Sequence, residues 1–221
     1  MARYYQNILV EVLDDDIVDG SFAIENGTIG IHAFAFRNCK KLKHMTVPEG
    51  VEFIKPYAFT GCTNLEEIIL PNSLERLCGD AFDRCYDLDH IRFGSGLKYF
   101  GTDCFRYAAV ESTPGIYKAF ALTEFGELRC RDTYYEIGKR TSVRGKLQMC
   151  SNGIHYCTNI FEIFNYYYGF YGEEFVIAEC EASDEKQSAY PYGTKYCARW
   201  IIPKKILSRE ELIELMNQER R

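Results

Sequence analysis

The chain lacks the features that would place it in a membrane, outside the cell or on nucleic acid. No apolar run approaches the roughly 18 residues that a membrane-crossing helix needs. The opening stretch Met1-Ala2-Arg3-Tyr4-Tyr5-Gln6-Asn7 has no apolar core of a secretory signal. Basic residues are not in excess either: the formal charge is −6, with 11 Lys and Arg against 16 Asp and Glu in residues 1–110, and 15 against 16 in 111–221. Neither half offers the positive field by which proteins hold nucleic acid. The expectation is a cytoplasmic protein with no membrane or nucleic-acid partner, whose ten cysteines are reduced thiols rather than disulfides. Hydrophobic residues make up 47% of the chain, enough for a real core.

What is present in the first half is a repeat. Phe36, Phe59, Phe82 and Phe105 recur every 23 residues, as do Leu42, Leu65 and Leu88, and Cys39, Cys62 and Cys85. Columns held in register at one period signify a solenoid, whose units bury their apolar faces only by stacking. The units span 31–53, 54–76 and 77–99, with a truncated fourth at 100–110. In each, a short helical or turn segment precedes a strand. Pro48 and Pro71 end the strands because proline cannot donate a ladder hydrogen bond, and Gly94 replaces them in the third unit. Phe22 and Ile24 continue the inward columns and predict an N-terminal capping strand, with 8–13 covering the open edge. The cysteine column is expected to pack as small hydrophobes.

These Ala-Phe, Cys and Leu-x-x-Ile-x-Leu-Pro landmarks resemble the leucine-rich repeats of the bacterial surface-antigen (BspA-like) type over about residues 22–110. The resemblance implies a stack with a parallel sheet on one face, generally used to bind other proteins. Strand alternation turns Met45, Ile68 and Ile91, and Val47, Leu70 and Phe93, inward. Two outward rows remain, His44/Glu67/His90 and Thr46/Ile69/Arg92, as the expected partner-contact surface. Cross-strand charge pairing is the alternative use of the first row.

The period fails after Val110, and 111–115 reads as a short linker into a second domain, 111–221. Strands are expected at 116–120, 134–137, 175–182 and 196–202, with a helix over 158–167 capped at Thr158 or Asn159. Ser208-Arg209-Glu210-Glu211 is a capping box opening a helix over 210–220, with Leu212, Leu215 and Met216 inward. The fold class is therefore mixed α/β: a short leucine-rich-repeat solenoid with a parallel sheet, then a small α+β domain.

Residues 128–139, the Cys150-Ser151-Asn152-Gly153-Ile154-His155-Tyr156-Cys157 phrase and the following helix and strand resemble an uncharacterised domain common in bacteriophage genomes, over about 116–205. That resemblance implies a phage-encoded protein and a host protein as partner, with inhibition of a defence system as the role. Residues 153–167 also resemble the Gly-Ile-Tyr-Phe-Ala segment and helix of ADP-ribosyltransferases. This would give Lys118, His155 and Tyr156 catalytic roles and NAD as cofactor. The late strand around Arg199 lacks the glutamate that this family needs against the developing oxocarbenium charge, and Glu179 and Glu181 lie in another element. Cys130, Cys150, His155 and Cys157 have the atom types of a structural zinc site but match no standard zinc-finger spacing. The alternative is core thiols beside a hydrogen-bonded or pocket-lining histidine. The aromatic run 166–171 divides between core and interface, with Tyr168 and Tyr171 assigned to partner contact. A non-enzymatic protein-binding module is the leading expectation, and an ADP-ribosyltransferase-like enzyme or NAD-binding relative is the alternative.

Overall fold

Residues 1–112, 114–148, 154–167, 169–188 and 195–218 are described by a computed structural model. Each 23-residue unit closes one coil, and a ring, a thiol and a leucine from successive coils stack in files. The centroids of Phe36, Phe59, Phe82 and Phe105 follow one another at 4.7, 5.4 and 6.2 Å, and all four rings are buried. Burying each such ring contributes about 1.5–3 kcal/mol, which is the main force holding coil to coil.

A hairpin of β1 (Arg3–Tyr5) and β2 (Ile8–Glu11) opens the chain. The coils then supply β3 (Gly30–Ile31), β4 (His44–Thr46), β5 (Phe53–Ile54), β6 (Glu67–Ile69), β7 (Arg76–Leu77), β8 (His90–Arg92) and β9 (Tyr99–Phe100). These form two parallel ladders rather than the expected one: β4-β6-β8, and β3-β5-β7-β9 on another side. The second was hidden in the sequence because each coil gives it only two residues. Between the ladders the chain turns tightly, without a helix. Phe34, Tyr57, Asp80 and Asp103 take positive φ at the 23-residue interval, and so do Asn38, Gly61, Arg84 and Tyr107.

The thiols do more than fill space. Cys62 and Cys85 donate to the carbonyls of Phe36 and Phe59 at 3.0 and 3.2 Å, each reaching back one coil, and Cys39 donates to Val12 at 3.4 Å. Strand β2 pairs in parallel with β3 and covers the open edge as expected. Residues 22–24 form no strand, contrary to expectation. Phe22 instead packs edge-on against Phe36 at 5.6 Å, and the neighbouring Ser21 bridges to Val18 and to His44.

The second half contributes β10 (Tyr117–Leu122), β11 (Leu128–Cys130), β12 (Thr133–Tyr135), β13 (Thr141–Ser142), β14 (Ile154–Cys157), β15 (Gly169–Phe170), β16 (Phe175–Ala182), β17 (Lys186–Ser188), β18 (Lys195–Ala198), β19 (Trp200–Ile206) and helix α1 (Arg209–Asn217). Among the described residues α1 is the only α-helix. The strands other than β15 form an antiparallel sheet, β13-β19-β16-β10-β14-β18-β17, with β11 and β12 beyond β10. The single strand expected at 196–202 is broken at Arg199, whose N–H turns to the Ser183 hydroxyl at 2.9 Å while its guanidinium pairs with Glu185.

The helix expected over 158–167 is a 3-10 helix, Ile160–Asn165, capped by the Asn159 side chain accepting from the Phe161 N–H. Phe161 is buried along with Ile160, Ile163 and Phe164, so the apolar residues do not keep to the one face that a 3.6-residue period would give. Within the expected linker, Ser112 is buried, its N–H donates to Asn159 Oδ1 and its hydroxyl accepts from the Ile160 N–H at 2.9 Å.

Elements of the second half close the solenoid's far end. Phe164 stacks on Phe100 at 4.4 Å, and its carbonyl accepts the Asp103 N–H at 3.0 Å. Strand β15 adds antiparallel to β9. In α1, the Asn217 amide accepts from the Phe93 N–H at 2.7 Å and donates to the Phe93 carbonyl at 2.9 Å. One side chain thus replaces the strand a further coil would have supplied. One apolar cluster consequently runs from Leu9 through the coils to Met216, and a second, around Phe120, Ile154 and Ile201, lies within the antiparallel sheet.

Candidate functional site

The outward rows lie where alternation placed them. Register aligns His44, Glu67 and His90 across β4, β6 and β8, and likewise Thr46, Ile69 and Arg92, while the residues between them are buried. The three side chains of the first row are 52%, 43% and 60% exposed. His44 Nδ1 lies 3.9 Å from Glu67 Oε2, and His90 turns to Asp89 at 2.5 Å. The row therefore pairs along and across strands in solvent, where such pairs contribute little to stability.

The sheet is not flat at its β8 end. Helix α1 and residues 109–111 rise beside it and enclose a groove of about 470 Å³. Glu67, His90 and Arg92 contribute to its polar floor, and Phe161, Met216 and Asn217 to its wall. The sequence did not show the groove because α1 lies more than a hundred residues away in the chain. Tyr171 does not belong to this surface. It is buried, and its hydroxyl donates to the Leu207 carbonyl at 2.7 Å while accepting the Ile177 N–H, so it braces the core between β16 and α1. Tyr168 lies outside the described residues.

A second cavity, of about 310 Å³, opens in the antiparallel sheet. It brings together Lys118, Cys130, His155, Tyr156 and Cys157, all singled out in the sequence, with Tyr166 and Tyr167 of the aromatic run and with Arg131, Tyr135 and Lys195, to which the sequence assigned no role. Lys118 is only 5% exposed; its Nζ donates to the His155 carbonyl at 3.0 Å and lies 3.4 Å from Cys130 Sγ. Tyr167 Oη is 3.6 Å from the same sulfur. Burial, then the nearby Lys195, Lys118 and Arg131, push the His155 imidazole down to about 4, so it is neutral at pH 7. Burial pushes the Cys157 thiol up to about 12. Tyr156 is buried, stacked on Tyr196 at 5.6 Å, and its hydroxyl is pushed up to about 12, chiefly by burial. A lysine in the otherwise apolar run Tyr117-Lys118-Ala119-Phe120 was the sequence signal for this cavity.

Glu179 and Glu181 are exposed, and Glu181 pairs with Lys204 at 2.6 Å. Neither lines the cavity. Cys150 lies outside the described residues. Among those described, no three His, Cys, Asp or Glu side chains are placed to hold one metal ion.

The architecture is that of a short leucine-rich-repeat solenoid closed by a second, mostly β, unit. Residues 20–115 match the BspA type leucine rich repeat region in six copies, and residues 114–215 match a domain of unknown function (DUF7666). The chain thus combines a BspA-type repeat region with a DUF7666 domain. A leucine-rich repeat protein from Bacteroides ovatus is 23% identical over 50% of this chain, with a TM-score of 0.40. A leucine-rich repeat protein from T. pallidum is 15% identical over 44% of it, with a TM-score of 0.27. The chain spans 32% of the length of the first and 70% of the second. No curated protein matches it.

Proposed function

We propose that the chain is a protein-binding module whose contact surface is the outward face of β4-β6-β8 together with the groove under α1. The observation that carries this reading is the groove: a polar floor of Glu67, His90 and Arg92 against an apolar wall of Phe161 and Met216. Interfaces combine such an apolar anchor point with a charged rim that sets register. Leucine-rich repeats commonly serve protein interaction, which supports the same role. The sequence resemblance of the second half to an uncharacterised bacteriophage domain motivates a search for a bacterial host protein in the cytoplasm, with inhibition of a defence component as the proposed consequence. The enzymatic alternative requires a carboxylate beside Lys118 and His155, and the described lining of that cavity contains no Asp or Glu.

The test is affinity capture from bacterial lysate by the unmodified chain and by the double charge reversal Glu67→Lys with Arg92→Glu. A specific partner should be captured by the first and lost from the second, while a chain altered at exposed Glu124, outside the groove, retains it. Equal capture by the reversed and unmodified chains removes this face from the proposal.

A further inference from the structure

The second cavity has a charge pattern that the protein-binding reading does not use. Three cations line it, Lys118, Arg131 and Lys195, and no carboxylate does so among the described residues. Among the described residues none of the three forms an ion pair, in a chain whose formal charge is −6. Lys118 is the telling member. It is 95% buried, yet the acceptors around its ammonium are one neutral carbonyl and a thiol, with the rings of Phe120 and Tyr135 at 5.4 and 5.8 Å. A buried ammonium is costly unless a counter-charge accompanies it. Here the protein supplies aromatic faces and dipoles but no anion.

The remaining walls are aromatic. Tyr135, Tyr156, Tyr166 and Tyr167 surround the space, and Lys195 Nζ lies 3.6 Å from the Tyr166 ring centroid. Ring faces of this kind take up flat, conjugated groups by stacking. The cavity volume falls at the lower end of the roughly 300–1,000 Å³ typical of small-molecule sites, which suits one ring system and one charged group. Convergence of three cations favours a doubly charged phosphate over a singly charged carboxylate.

We infer that this cavity is a binding site for a small aromatic phosphomonoester of the mononucleotide class, its phosphate held among Lys118, Lys195 and Arg131 and its ring against the tyrosines. The full chain is titrated by calorimetry with 5′-AMP, adenosine and inorganic phosphate. Saturable binding of 5′-AMP, at least about tenfold tighter than either fragment, is expected because each fragment leaves half of the site unpaired. Lys118→Met should abolish it at an unchanged thermal midpoint. Should that core variant not fold, Lys195→Ala and Arg131→Ala, at less buried positions, should each weaken 5′-AMP severalfold and leave adenosine unaffected. No saturable 5′-AMP binding at millimolar concentration overturns the inference. So does adenosine binding as tightly as 5′-AMP, phosphate alone binding as tightly as 5′-AMP, or affinity indifferent to all three cation variants.

Discussion

Replacing Phe164 with alanine tests whether the two halves share one core. The ring is fully buried, stacks on Phe100 at 4.4 Å and meets Phe105 edge-on at 6.0 Å, so it covers the exposed end of the last coil. Truncating a buried phenylalanine costs about 3–5 kcal/mol, transfer and cavity terms together. For a chain of this size each kcal/mol lowers the midpoint by about 2–4 °C, giving a fall of roughly 6–20 °C. The readout is guanidinium unfolding followed both by far-ultraviolet circular dichroism, which sees all strands, and by fluorescence of Trp200, the only tryptophan. Trp200 lies in β19 of the antiparallel sheet, outside the repeats. Coincident transitions in the unmodified chain, and an equal shift of both in Phe164→Ala, are expected of one cooperative unit. Phe125→Ala, at a position 81% exposed, should stay within about 0.5 kcal/mol. If the dichroism midpoint falls while the Trp200 midpoint stays, or if the variant loses less than about 1 kcal/mol, the ring does not join the halves and the capping argument is wrong.

Other parts of the same account are open to measurement. Asn217→Ala leaves the Phe93 N–H and carbonyl without the partners that close the β8 edge. A loss of about 1–3 kcal/mol is expected, with faster hydrogen exchange at the Phe93 amide, whereas Asn217→Asp keeps the acceptor and should cost less. Unaltered exchange at Phe93 in the alanine variant would show that the edge needs no cap. Burial pushes the thiols of Cys39 and Cys157 up to about 12 from 9.0. The unfolded chain therefore releases these protons first as pH rises, so their contribution is complete below about 9 and is lost between about 9 and 12. Urea midpoints measured under reducing conditions from pH 7 to 11 should decline above 9, and a flat profile would contradict the buried, neutral thiols.

Much of the solenoid was legible because a repeat is an internal alignment. Phe36 and its successors, and the inward and outward sides of β4, β6 and β8, follow from the period and from strand alternation alone. Its second ladder was not legible, since two-residue strands such as Gly30–Ile31 carry no alternation to read. In the second half, the local signals that survived were those with their own chemistry. The eight-residue strand Phe175–Ala182 and the Ser208/Glu211 capping box both stand where they were expected. Tyr171 misled because an aromatic run next to glycine looks alike whether it meets solvent or core. Its burial depends on β16 and Leu207, brought to it by a fold the local sequence does not encode. The inner cavity was half legible for the same reason. Lys118 and His155 stood out by residue type, but Arg131, Tyr135 and Lys195 join them only through strand pairing.

The failure of the period at Val110 also bears on where recognition can reside. Inside a regular stack, successive coils present nearly the same backbone, so register there rests on the outward side chains alone. The cap removes that degeneracy. At β8 the repeating row meets elements that occur once, and Arg92 and His90 line a groove with Phe161, Met216 and Gln218 there, whereas on β4 His44 meets the Ser21 bridge. Discrimination between registers requires contacts that are favourable in one and lost in the next, and the capped end is where this sheet has them. A partner of the repeat face would therefore bind in one register, anchored at α1, with Ile69 and His44 extending the contact toward the N-terminal coils.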